Sequence, residues 1–241
     1  MLGRTHMAIG AIGATVITPL LIRFPWEPIS AMRTLNLVPE ALVVVGAVLG
    51  SLVPDLDESH SLLARKAEMV GRLVFLLIAL YVLFVGHVPL TPFSLVGYAL
   101  LALTLFSRAN VMRKIALGAM GLFAIYGVVT HGMPLVAGLA FFAWSMGAAF
   151  TSHRTFTHSV LGIGLFSLGM MMSLHGLWAV CAEAAMAGYA LHLIADGIAG
   201  GVPLLWPFPT RQGVRLVKTG SAVDHTIGLV AVAGFLLLVV K

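Results

Sequence analysis

The chain has 241 residues, of which 60% are hydrophobic and only 10% charged, with a mean hydropathy of +1.04 and a net charge of +5. Soluble domains carry roughly 25% charged residues, so the composition excludes an ordinary soluble fold and points to an all-α, polytopic membrane protein. The single cysteine, Cys181, excludes an intrachain disulfide.

Apolar runs bounded by charged or Pro/Gly breaks predict nine transmembrane helices, at about 7–22, 38–54, 70–86, 89–106, 114–130, 133–150, 158–174, 177–198 and 223–240. Together they form one helical bundle over the whole chain. The run after His6 continues to Ile22 with no small-residue cleavage site, so the N-terminus does not read as a cleaved signal peptide. No period-two alternation persists long enough for a barrel. Nine crossings place 11 of the 14 lysines and arginines on the side of the N-terminus, and the positive-inside rule makes that side the cytoplasm.

The polar residues of this apolar chain fall into motifs at the ends of the predicted spans. His6 opens the first. Pro54 ends the second, and Asp55 and Asp57 follow it. In an extended segment these two carboxylates point the same way and repel unless a cation lies between them. The seventh span begins with His153-Arg154-Thr155-Phe156-Thr157-His158-Ser159, which holds two imidazoles, a guanidinium and three hydroxyls. Imidazole is a common metal ligand, Thr157 or Ser159 suits a helix cap, and the Arg154 fork suits phosphate or carboxylate. His192 and Asp196 close the eighth span one helical turn apart, and so share a face. All four motifs fall on the cytoplasmic side. His6, Asp55, Asp57, His153, His158, His192 and Asp196 are thus candidate ligands for one or two divalent ions. Mixed nitrogen and oxygen donors favour Zn, with Mn or Fe next. His87, His131 and His175 fall on the opposite side. The segment 199–222 carries Trp206, Arg211, Arg215 and Lys218; it reads either as an interfacial loop on anionic lipid or as a lid in which Arg211 and Lys218 guide an anionic substrate.

At these residues the chain resembles the YdjM family, described as inner-membrane, LexA-binding, metal-dependent hydrolases. The resemblance rests on His6, Val53 to Asp57, His153 to Ser159, His192 with Asp196, Gly201-Val202-Pro203-Leu204-Leu205-Trp206-Pro207, and Gly220 to Asp224. Thr155 stands where the family has glycine, and Asp224 where a glutamate is commoner. Residues about 60–150 look like a four-span insertion relative to compact members; an even number of spans returns the chain to the same face. The resemblance implies a multi-pass protein of the cytoplasmic (inner) membrane and a hydrolase. Two-metal sites commonly cleave phosphoesters, so the expected substrate is a phosphoester, in a lipid or lipid-linked. Asp57 and His158 are then catalytic along with Arg154, which also binds substrate. Membrane lipids are the expected partners, with no direct nucleic-acid binding. The alternatives are a non-enzymatic binding or regulatory protein, to which the LexA-binding description belongs, and a metal transporter.

Overall fold

The computed structural model describes residues 1–23, 37–57, 109–208 and 210–239. Over these the chain is all-α, with seven helices: α1 (Gly3–Arg23), α2 (Leu37–Gly50), α3 (Ala109–Val129), α4 (Leu135–Phe150), α5 (Val160–Ser173), α6 (Leu177–Ala199) and α7 (Ala222–Val239). Two 3-10 turns, Val53–Asp57 and Phe156–His158, precede α3 and α5. The described residues contain no strand, only an isolated bridge between Val202 and Gln212. The expected spans 70–86 and 89–106 lie outside the described residues; the other seven each fall on one of α1–α7.

The described residues do not support nine full crossings. Among the described residues, one stretch, Trp178–Ala199 of α6, is long and apolar enough to cross a membrane, while Leu135–Phe150, Val160–Ser173 and Ala222–Leu237 are apolar but shorter. For the short helices the reason is geometric. At 1.5 Å per residue the 14-residue helices α2 and α5 are about 21 Å long, against a hydrocarbon core of about 30 Å.

Burial runs opposite to a water-soluble bundle. Phe123, Phe150, Leu229 and Leu237 are each 70–72% exposed, whereas His6, Asp57, Thr157, His158, His192, Asp196 and Asp224 are all buried. An outer surface this apolar belongs against lipid or a partner rather than water. Between α4, α5 and α6 lies an aromatic core of Trp144, Phe166 and Tyr189, with Phe156 at its polar end.

One close crossing sets the site. Helices α2 and α6 meet along small residues, where van der Waals packing rather than side-chain bulk joins helices in lipid. A Cβ on Gly46 would strike the Cys181 carbonyl, one on Gly50 the Ala185 backbone, and one on Gly188 the Ala47 backbone. Helix α7 approaches α1 in the same way, with Gly228 against Thr5 and Gly234 against Ile12. The N-terminal ends of α1, α5 and α7 thereby gather with the C-terminal ends of α2 and α6.

Candidate metal centre

Five side chains converge at that end of the bundle. The Nε2 atoms of His158 and His192 are 3.2 Å apart. Asp55 Oδ1 lies 3.7 Å from His158 Nε2 and 3.5 Å from His192 Nε2. Asp196 Oδ2 lies 3.5 Å and 3.8 Å from the same two nitrogens. Its Oδ1 is 3.2 Å from His6 Nε2, and the His6 and His192 rings stack with centroids 3.7 Å apart. Two ligand-competent groups result, His6 with Asp55 and His192, and His158 with His192 and Asp196, sharing His192. The pairing of His192 with Asp196 is the one expected from their i, i+4 spacing.

The local folds explain why these atoms meet. His192 Nδ1 donates to the Ser51 carbonyl at 2.7 Å, which leaves the Nε2 lone pair facing the cluster. That carbonyl is in place because of the close α2–α6 crossing. His158 is held by a relay. Its Nδ1 lies 3.0 Å from Thr157 Oγ1, and the Thr157 hydroxyl donates to Asp57 Oδ2 at 2.6 Å. With its proton committed to Asp57, Thr157 accepts from His158 Nδ1, so this imidazole too turns an unprotonated Nε2 inward. Tyr189 fixes the backbone of the relay, its hydroxyl donating to the Thr157 carbonyl at 2.5 Å. Ser159, not Thr157, caps α5, accepting from Gly162 N at 3.1 Å.

Asp57 and His153 fall outside the two ligand groups, although the His153 ring packs edge-on against His158 with centroids 5.4 Å apart. His153 Nδ1 donates to Asp57 Oδ1 at 2.7 Å, and both carboxylate oxygens of Asp57 are thus engaged outside the two ligand groups. The expectation that Asp55 and Asp57 point the same way is corrected by the backbone. Residues 53–57 form a 3-10 turn, not an extended segment. With three residues per turn, positions i and i+2 lie about 120° apart around the axis. Asp55 therefore enters the cluster and Asp57 turns to Thr157.

Arg154 reaches Asp196 as well, with Nη2 3.1 Å from Oδ2. The amino group of Met1 lies 2.5 Å from Asp196 Oδ1. Burial pushes the Asp55 carboxyl above its ordinary range, and Asp196 adds to that, while His158, His6 and His153 oppose it. Thr155, which replaces the family's glycine, has φ −123° and needs no glycine; the left-handed backbone falls one residue earlier, at Arg154. Arg211 and Lys218 are exposed on the segment after α6; His131, His175 and His225 are exposed elsewhere, and His60 and His87 lie outside the described residues.

Asp224, Thr157, Ser51 and Tyr189 were not legible as supporting residues from sequence. Asp224 is fully buried, and its Oδ2 accepts from Leu2 N at 3.0 Å and Gly220 N at 2.8 Å. It joins the start of α7 to the turn of α1 that carries His6. A family pattern ending in an acidic residue after Gly220 is the one signal that marks it.

The donor set fits a metal ion. His6 Nε2 and Asp196 Oδ2 are buried without a well-aligned hydrogen bond, although Asp196 Oδ1 lies 3.2 Å from the first and Arg154 Nη2 3.1 Å from the second; a cation between the imidazole nitrogens and the carboxylate would satisfy both. Metal–ligand bonds of ~2.0–2.2 Å place tetrahedral ligands roughly 3.4 Å apart, close to the 3.2–3.8 Å separations seen. The two groups that share His192 could hold one or two ions.

No curated protein and no solved structure matches the chain. A family model does: the YdjM inner membrane protein family, over residues 1–240. The match takes in His6 at one end, Asp224 at the other and every candidate ligand between them, and the chain belongs to the YdjM inner membrane protein family.

Proposed function

We propose that this chain is a multi-pass membrane hydrolase that uses one or two divalent metal ions, zinc first and manganese or iron next, to cleave a phosphoester at the cytoplasmic face. The observation that carries the reading is the convergence of His6, Asp55, His158, His192 and Asp196 from four separate chain segments. Bound there, a divalent ion supplies Lewis acidity, making water a stronger acid and offsetting charge on a phosphoryl oxygen.

The chain's own residues do the rest. Ser51 and Thr157 fix the inward face of His192 and His158. Asp57 anchors Thr157 and His153, so it acts by positioning. Arg154 lies at the rim, 23% exposed, where its fork meets an incoming anion. The apolar outer surface supports a substrate from the bilayer. Placement of the cluster at helix ends favours hydrolysis over transport, since transporter sites lie near mid-membrane.

The test is elemental analysis of detergent-purified protein followed by a phosphoesterase and lipid-hydrolysis screen. Stoichiometric transition metal, about one or two ions per chain, is expected, and Asp55→Ala or His158→Ala should remove it. Full metal content in both variants would refute the ligand assignment.

A further inference from the structure

Three non-glycine residues among those described adopt a left-handed backbone: His131 at φ 57°, Arg154 at φ 56° and Arg215 at φ 56°. His131 sits in the tight turn between α3 and α4. The other two are both arginines, and they flank one pair of glycines. A Cβ on Gly200 would meet Arg154 Nη1 at 3.4 Å, and a Cβ on Gly201 would lie 3.6 Å from Arg215 Nε. Left-handed backbone at an L-residue persists only where the surroundings impose it, and such strain gathers at functional sites.

The surroundings here are specific. Gly200 N and Gly201 N both donate to the carbonyl of Asp196 at 2.9 Å, so the glycine pair is fastened to the residue at the centre of the cluster. Arg215 is held from both sides, by Val214 N donating to Gly197 O at 3.0 Å and Leu216 N donating to Ile198 O at 2.7 Å. Gly213, at φ 150°, allows that approach, since a Cβ there would strike the Gly197 carbonyl. Two backbone bonds thus hold the exposed Arg215 beside the last turn of α6, and two more fasten the glycine pair to that turn. Beside it, Arg154 touches Asp196 with Nη2 and keeps a buried Nε without a hydrogen-bond partner.

We infer that Arg215, with Arg154, forms a two-guanidinium clamp over Gly200-Gly201 that takes the phosphoryl group of the substrate. The inference rests on the phosphoester reading above and names the residue that recognises the anion. Guanidinium forks match phosphate oxygens bidentately. The absence of side chains at Gly200 and Gly201 lets both arginine side chains pack close over the turn, with Arg215 exposed. The phosphoryl group belongs either to a lipid headgroup or to a soluble phosphoester. Leu205, Phe208, Val214 and Leu216 on the same loop are 59–76% exposed, which suits a loop resting in the bilayer interface.

Orthophosphate binding and metal content, measured on the same detergent-purified full-length samples, test this. Arg215→Asn tolerates the left-handed backbone while removing the charge, and Arg215→Lys keeps the charge without the fork. Loss of a charge-assisted contact should weaken orthophosphate binding roughly ten- to hundredfold in Arg215→Asn, with partial recovery in Arg215→Lys and unchanged metal content in both. No saturable binding by the wild-type protein, equal affinity in Arg215→Asn, or loss of binding only together with the metal overturns the clamp. Arg215-dependent binding by wild-type protein that holds no metal would uphold the clamp and sink the hydrolase reading. Nanodiscs separate the two sources: phosphatidylglycerol competing with orthophosphate identifies a lipid headgroup, and glycerol phosphate competing in phosphatidylcholine identifies a soluble ester.

Discussion

The carboxylates of Asp55 and Asp57 are two residues apart, and the structure gives them different work. Asp55 faces three imidazoles, whereas Asp57 spends both oxygens on His153 and Thr157. Thr157→Val separates these roles, because it keeps the side-chain shape and removes only the relay. It should weaken metal binding about 10- to 100-fold, the usual effect of losing a group that orients a ligand. It should also destabilise the fold by ~1–3 kcal/mol, since Asp57 Oδ2 loses its buried partner. Asp55→Ala, in contrast, should abolish binding. Metal titration monitored by competition with a chelating dye reads both, and wild-type affinity in Thr157→Val would remove the relay from the account. Residue types and order were legible in the sequence down to the His192–Asp196 pair, because helical spacing is regular. The split between Asp55 and Asp57 was not, because a five-residue 3-10 turn leaves no periodic trace.

Among the elements, the seam between α2 and α6 governs the site. It brings the Ser51 carbonyl to His192, and its closeness depends on Gly46, Gly50 and Gly188. Gly188→Leu drives a side chain into the Ala47 backbone and should cost about 3 kcal/mol, together with much of the metal affinity. Gly164→Ala in α5 makes the counter-prediction. A Cβ there meets nothing within 4 Å, so replacing a helical glycine should stabilise by about 0.5–1 kcal/mol. Thermal unfolding in one detergent, followed by helical signal, compares the two; equal melting temperatures would show that the seam is loose. Apolar runs marked each of the seven described helices to within a few residues. They did not mark which helices touch, because lipid-facing and helix-facing positions are equally apolar in a membrane chain.

For the whole molecule the remaining question is orientation. Arg4, Arg113, Lys114, Arg154, Arg211, Arg215 and Lys218 all belong to the ends of helices or loops on the side of the candidate metal centre, Arg113 through its bond to the Ala148 carbonyl near the end of α4. Cations concentrate on the cytoplasmic side of membrane proteins, so the cluster and its loop should open there. Helix α6 offers the cleanest measure, since it holds the stretch long enough to span and carries His192 and Asp196 in its last turns. His175 is exposed before its start, and Lys218 is exposed on the loop beyond its end. With the single native thiol removed by Cys181→Ala, Lys218→Cys should react with a membrane-impermeant maleimide only in inverted vesicles. His175→Cys should react only in right-side-out ones. The reverse pattern would turn the metal centre to the other face of the membrane. Labelling of both from one side would mean that α6 does not cross, and the site would then sit on a bundle lying against the bilayer, its substrate still within reach but its topology rewritten.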